Sequence, residues 1–194
     1  MMAKLSRSDL YSLEDYARIR PEFRQKVIAH KKNRRLPIGP HAALYFEDTL
    51  TMQYQIQEML RIERIFEAEG IQEELDVYNP LIPDGSNWKA TFMMEYDNPD
   101  ERRVALQQLV GVEEAIWIQV LDFDRVHPIA NEDLERSTPD KTASVHFLRF
   151  ELSPAMAAAV KQGAAVLAGI DHPNYNLQTT IPQPILASLA QDLG

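Results

Sequence analysis

Apolar and polar positions change rhythm near residue 88: helical spacing dominates before it and two-residue alternation after it. From 49 to 69 the chain reads TLTMQYQIQEMLRIERIFEAE, with no Gly or Pro and many good helix formers. At about 100° per residue, Met52, Ile56, Met59, Leu60, Ile62 and Phe66 fall on one arc, which predicts a single helix over 49–69, closed by Gly70. Gln55 and Glu63 lie inside that arc, while Gln53, Gln57, Arg61 and Arg64 form a polar stripe of their own. A carboxylate on a buried face is costly unless it is paired, so the helix either holds a polar site in the core or contacts a partner through a mixed face, and Glu63 is the first lead.

Upstream, Ser12 opens an S-x-x-D capping signal. Pro21 suits a first helical turn, which predicts one helix before it and a second over PEFRQKVIAHKKNRR. LPIGP (36–40) reads as a break, HAALYFE (41–47) as a short strand, and Asp48, Thr49 or Thr51 as a helix cap. After Gly70 a helical turn over 71–77 gives way to an irregular loop set by Pro80, Pro83 and Asp84-Gly85.

Residues 89–96, 114–123, 143–152 and 164–170 read as strands. Asn98-Pro99 and Ser153-Pro154 start helices that Gly111 and Gly163 stop, and a short helix closes the chain over 182–193. The order β-α-β-β-α-β predicts an α+β, ferredoxin-like antiparallel sheet with both helices on one face. The N-terminal helices and the 49–69 helix are expected to cover the other face. The division is then an N-terminal helical region, 1–87, and a ferredoxin-like region, 88–194, in one compact unit.

Charge changes the picture in one respect. Residues 1–36 carry ten Lys and Arg against four Asp and Glu, whereas the rest carries ten against twenty-five. A basic arm is thus expected to dock onto its own acidic body, and the acidic majority disfavours nucleic-acid binding. The chain has no cysteine, which excludes disulfides, thiolate metal sites and a cysteine nucleophile. No apolar run approaches the roughly 18 residues of a membrane span, and MMAKLSRSDLYSL lacks a signal-peptide core, so the cytoplasm is the default compartment.

The candidate chemistry centres on Gln55, Glu58, Arg61 and Glu63, as a polar pocket between helices. A bundle-type di-iron site is disfavoured because the helix has no E-x-x-H. The structural alternative is a buried ion pair between Glu63 and Arg34, Arg35 or Arg149. Glu73, Glu74, Asp76, Asn79 and Asp84 offer oxygen ligands for a hard cation, but without EF-hand spacing they read more simply as caps and turn residues. His41 or the 71–87 loop is a candidate lid. The run from His30 to Arg35 offers cations to phosphates or to an acidic partner. His127 and His146 are expected near one end of the sheet, with His172 at the other. Gly-rich phosphate loops and hydrolase or zinc-protease motifs are missing.

The strings QYQIQEMLRIERIFEAEGIQEELDVYNPLIPDG (54–85), LPIGPHAALYFED (36–48) and SVHFLRFEL (144–152) resemble one bacterial family, the domain of unknown function 3501. The resemblance implies no activity and no catalytic residues. It implies a redox or peroxide-stress setting, because members are often encoded beside rubrerythrin-like and iron–sulfur reductase-like proteins. Two readings stand at this point. One is a non-catalytic accessory protein that binds such a partner or a second copy of itself. The other is a small enzyme or a ligand- or metal-binding protein, with a pocket around Glu63, Gln55 and Arg61.

Overall fold

The structure, a computed structural model, describes residues 4–194. It is a mixed α+β fold with antiparallel sheets. The first helix, α1 (Leu13–Lys31), is continuous, and Pro21 sits inside it rather than starting a second helix. Proline removes the N–H that would reach the carbonyl of Ala17; Ala17 is exposed, so water can serve that carbonyl, and buried Tyr16 and Val27 hold the helix on either side. Ser12 caps it by accepting from the Asp15 amide at 3.1 Å. Two strands follow as a hairpin, β1 (Arg35–Pro37) and β2 (Ala42–Phe46), so LPIGP is the end of a strand and its turn.

The 49–69 helix is corrected. Helix α2 spans Thr49–Glu63, starts on an Asp48–Thr51 capping box, and stops because Arg64 adopts a left-handed conformation at φ 56°. A separate helix, α3 (Ala68–Tyr78), contains Gly70 rather than following it. A Cβ on Gly70 would lie 2.7 Å from the Ile65 side chain, so this glycine permits the close turn between α2 and α3. The buried stripe of α2 is Met52, Ile56 and Leu60 with Thr51 and Gln57, while Ile62, Glu63 and Phe66 are exposed. Glu63 falls on the angular side of Met52 and Ile56, but as the last residue of the helix it projects past everything that could bury it. Met52, Ile56 and Leu60 share a cluster with Leu5, Leu75 and Ile82.

The ferredoxin-like sheet is also corrected. The predicted first and third strands, β3 (Asn87–Met94) and β8 (Val145–Glu151), do pair antiparallel. The predicted second and fourth, β4 (Ile116–Val120) and β9 (Val166–His172), pair with each other in another sheet. The reason is occupancy of the edges. β2 takes the free side of β3, and the short β5 (Ile129–Ala130) takes the free side of β8, giving a five-stranded sheet ordered β1-β2-β3-β8-β5. The displaced β9 then hairpins into β10 (Tyr175–Thr180), a strand the sequence reading missed, and the second sheet is ordered β10-β9-β4. A hairpin of β6 (Ser137–Thr138) and β7 (Lys141–Thr142) lies within the loop before β8.

Alternate residues of both sheets enter one core, with Leu44, Phe92 and Phe150 from the first and Ile118, Ala168 and Ile170 from the second. The helices α4 (Pro99–Gln108), α5 (Pro154–Lys161) and α6 (Gln183–Leu189) add Leu106, Val160 and Leu189 to it. The caps expected at Asn98 and Ser153 are made by those side chains. The opposite face of the five-stranded sheet carries Tyr45, Lys89, Thr91, Phe147 and Arg149, all only half-buried. Among the described residues, no helix is long and apolar enough to cross a membrane.

Candidate functional site

The residues singled out from the sequence do not gather in one site, although Glu58 pairs with Arg61 and Glu63 lies near Glu74. Glu58, not Glu63, is the paired carboxylate of α2. It accepts from Arg20 at 2.7 and 2.9 Å, from the Tyr16 hydroxyl at 2.8 Å and from Arg61 at 3.3 Å. The Arg20 guanidinium holds its carboxyl far below the usual range, at about 2. The expected partners Arg34, Arg35 and Arg149 are each engaged elsewhere. Glu63 is exposed and in no ion pair among the described residues. Half-buried Glu74 on α3 has its carboxyl pushed up, by burial first and then by the charges of Glu63 and Glu73. Gln55 is half-buried on α2.

Arg34 is 2% exposed and works as a structural clasp. It donates to the carbonyls of Phe46 and Glu47 at 2.9 and 3.1 Å, and pairs with Asp192 and Asp48. Burial still carries the Asp192 carboxyl up to about 6. Arg35 bonds the Tyr45 hydroxyl at 2.8 Å and Glu95 at 2.7 Å. His41 is fixed by stacking on Tyr96 at 4.1 Å, and its Nδ1 donates to the Glu95 carbonyl at 3.1 Å. With His30 on Asp48 and Arg20 on Glu58, the arm is docked in part: Arg20, Arg34 and Arg35, three of its ten Lys and Arg, pair with carboxylates beyond it. Asn79 bonds both the amide and the carbonyl of Leu5, at 2.8 and 2.9 Å, clamping the N-terminal segment onto the turn after α3.

That turn borders a mainly apolar concavity. Asn79-Pro80 ends α3 in a 3-10 turn, Asn79–Leu81. The turn faces the outer side of the five-stranded sheet across a cavity of about 550 Å³, whose far wall is the segment 132–136. Val77, Tyr78, Leu81, Leu134 and Phe147 make the walls mainly apolar. Asp76, named from the sequence as a cation ligand, is at its border and accepts from Gln72 at 2.8 Å. The far wall is held by Asn131, in left-handed backbone at φ 52°. Its Oδ1 accepts from the Phe147 amide at 3.1 Å, and its Nδ2 donates to His146 Nδ1 at 2.9 Å. Arg136 forks onto Asp133 and lies 4.5 Å over the Phe147 ring.

Strand register puts Lys89 directly opposite Arg149 at the cavity floor. Like charges in that relation repel. Arg149 is compensated by a fork onto Glu132, at 2.8 and 2.7 Å, and by Glu151. Lys89 donates to the Pro80 carbonyl and is in no ion pair among the described residues. Burial lowers its ammonium pKa and Arg149 adds to that, while the charges of Asp84 and Glu132 oppose it. Neither Lys89 nor Phe147 stands out in the sequence. The available signal was an outward-facing lysine in an alternating strand, and its meaning depends on a strand pairing that the sequence does not declare.

A second polar cluster lies behind the same wall. His146 and Thr142 are fully buried, and Glu113 nearly so. With Nδ1 accepting from Asn131, His146 Nε2 carries the proton and donates towards Thr142 Oγ1 (2.9 Å) and the Ala143 carbonyl (3.1 Å). Thr142 donates on to Glu113 at 3.4 Å, and Ser137 donates to the same carboxylate. Burial lowers the His146 pKa, with Glu113 opposing, so the ring is neutral and anchors the 131–142 segment. His127 donates to the Ile116 carbonyl at 3.1 Å and is not part of this cluster. Among the described residues, no three His, Asp or Glu side chains are grouped as metal ligands.

The chain is similar over 99% of its length to a crystallised protein of unknown function from Burkholderia pseudomallei K96243, at 52% identity and a TM-score of 0.94, with all of that chain covered. No curated protein matches it. The family described as protein of unknown function (DUF3501) matches residues 4–193, nearly the whole sequence, so the chain belongs to the DUF3501 family.

Proposed function

We propose that the chain is a binding protein whose ligand lies in the groove between the Asn79–Leu81 turn and the outer face of the five-stranded sheet. The observation that carries this is the cavity of about 550 Å³ with apolar walls and a few polar groups on its floor. Small-molecule sites typically span roughly 300–1,000 Å³ and have that make-up. Val77 and Leu134, at 62% and 56% exposure, leave apolar area at the cavity that a ligand would cover. This moves the expected pocket from Glu63, Gln55 and Arg61 to the end of the 71–87 segment, which forms one wall. Titration with the uncharged dye Nile red tests it: saturable fluorescence in the wild type, lost in Leu134→Glu, is expected. No saturable binding, or equal binding by the variant, refutes it.

A second reading, as an accessory protein that docks a partner, is favoured by the corner between α2 and α3. There Ile62 and Phe66 are 61% and 67% exposed on neighbouring turns of the chain. The partners to test are a second copy and the rubrerythrin-like or iron–sulfur reductase-like proteins that the sequence resemblance implies. Light scattering with each purified candidate should show a complex that Phe66→Ser abolishes; a monomer that joins none of them ends this reading.

A further inference from the structure

We propose that the groove's ligand is a small apolar molecule with one negative charge, a monocarboxylate, whose head sits on Lys89 and whose body lies along Tyr78, Leu81, Leu134 and Phe147. The inference rests on the groove being a ligand site and adds the chemistry of the ligand.

The argument begins with the floor. Two cations face each other across β3 and β8, and only one of them is held in ion pairs; Asp84 and Glu132 act on Lys89 from beyond ion-pair distance. Arg149 has two carboxylates; Lys89 has a carbonyl oxygen. An ammonium carries three donors, and the Pro80 carbonyl uses one of them. The neighbouring Arg136 is taken up by Asp133. Lys89 is therefore the one cation bordering the cavity that is in no ion pair, among the described residues, and it is half-buried. Natural sheets avoid uncompensated like-charge pairs, and a local arrangement that lowers stability without structural gain is typical of a functional position. An anion on Lys89 would relieve both the repulsion from Arg149 and the cost of burying an unpaired ammonium.

The walls set the limits on that anion. A cationic head would meet Lys89 and Arg149. A neutral molecule would cover Lys89 without compensating it. A dianion would carry one charge more than the Lys89 ammonium can pair, because Arg149 and Arg136 are already held by Glu132 and Asp133. One negative charge satisfies Lys89 and goes no further. The apolar walls then require an apolar body in place of a bare inorganic ion.

Calorimetric titration of the full chain with decanoate, decanol and decyl phosphate, the last at pH 8, is the test. Decanoate should bind at least about tenfold more tightly than decanol, a difference of about 1.4 kcal/mol, and more tightly than decyl phosphate. Lys89→Met should remove the advantage of decanoate over decanol, and Lys89→Arg should keep most of it. Nile red binding by Lys89→Met shows that the groove of that variant is intact. Equal affinity for decanoate and decanol, or a preference for decanoate that survives Lys89→Met, overturns the assignment of the head to Lys89. Tighter binding of decyl phosphate overturns the single-charge limit. If Nile red binds in the groove while decanoate shows no preference, the ligand chemistry falls and the groove reading stands. If neither binds, both fall.

Discussion

Replacing Glu58 by Gln should destabilise the protein at neutral pH and cost little in acid, whereas Glu63→Gln should do little at either. Glu58 joins α2 to α1 through the Arg20 fork and the Tyr16 hydroxyl. Its carboxyl moves from an ordinary 4.5 to about 2 on folding. At 1.36 kcal/mol per pH unit, that linkage is worth about 3 kcal/mol at full strength. Arg20 is 31% exposed, so solvent screens the pair, and about 1–2 kcal/mol is the reasonable expectation. The sign follows from the lowered pKa. The folded state holds the carboxylate to lower pH than the unfolded chain does, so the stabilisation is full above 4.5 and is lost as pH falls towards 2. Urea unfolding of wild type, Glu58→Gln and Glu63→Gln at pH 7 and at pH 3 measures this. A gap for Glu58→Gln that stays constant between the two pH values would refute the ion-pair account. A loss above about 1 kcal/mol for Glu63→Gln would restore Glu63 to the core, against the usual small effect of surface changes.

Gly169→Ala should be severe, because its Cβ would lie 2.3 Å from the buried Trp117 ring across the β4–β9 pair. Overpacking of about 1–3 kcal/mol adds to strain on the 3.0 Å bond from Trp117 Nε1 to Asp171; a lowered melting temperature with altered tryptophan fluorescence is expected, and an unchanged melt contradicts it. Asn79→Ala removes both bonds to the Leu5 backbone and should cost about 1–2 kcal/mol, seen as faster proteolysis near Leu5; unchanged protection would show that the clamp is dispensable. His146→Phe should loosen the 131–142 segment by removing the bonds that tie Asn131 and Thr142 to the ring, raising amide exchange there; protection equal to wild type would remove the anchoring role.

Local signals were legible where a side chain acts on its own backbone. Ser12, Asp48, Asn98 and Ser153 cap the helices they precede, and the alternation of Ala90, Phe92 and Met94 marks a core face. What depends on competition between distant segments was not legible. The βα units fit a ferredoxin-like sheet, but β2 and β5 occupy the edges that β9 and β4 would need, and nothing in those units announces the competitors. Glu63 misled for a related reason. The helical wheel gives its angle but not the end of the helix, and the turn at Arg64 with Gly70 against Ile65 decides that Glu63 faces solvent. The groove lies at the opposite extreme. Lys89 and Arg149 are 60 positions apart in sequence and meet through register alone, so the residues with the strongest claim to function carry no local motif.

Methyl NMR during a decanoate titration addresses the central claim most directly. Val77, Leu81 and Leu134 border the groove, whereas Val104 and Leu177 are exposed away from it. The account predicts saturable shifts confined to the first three, with the Lys89 side-chain resonances moving in step. Shifts spread evenly over exposed methyls, or confined to the Ile62 corner, would contradict it.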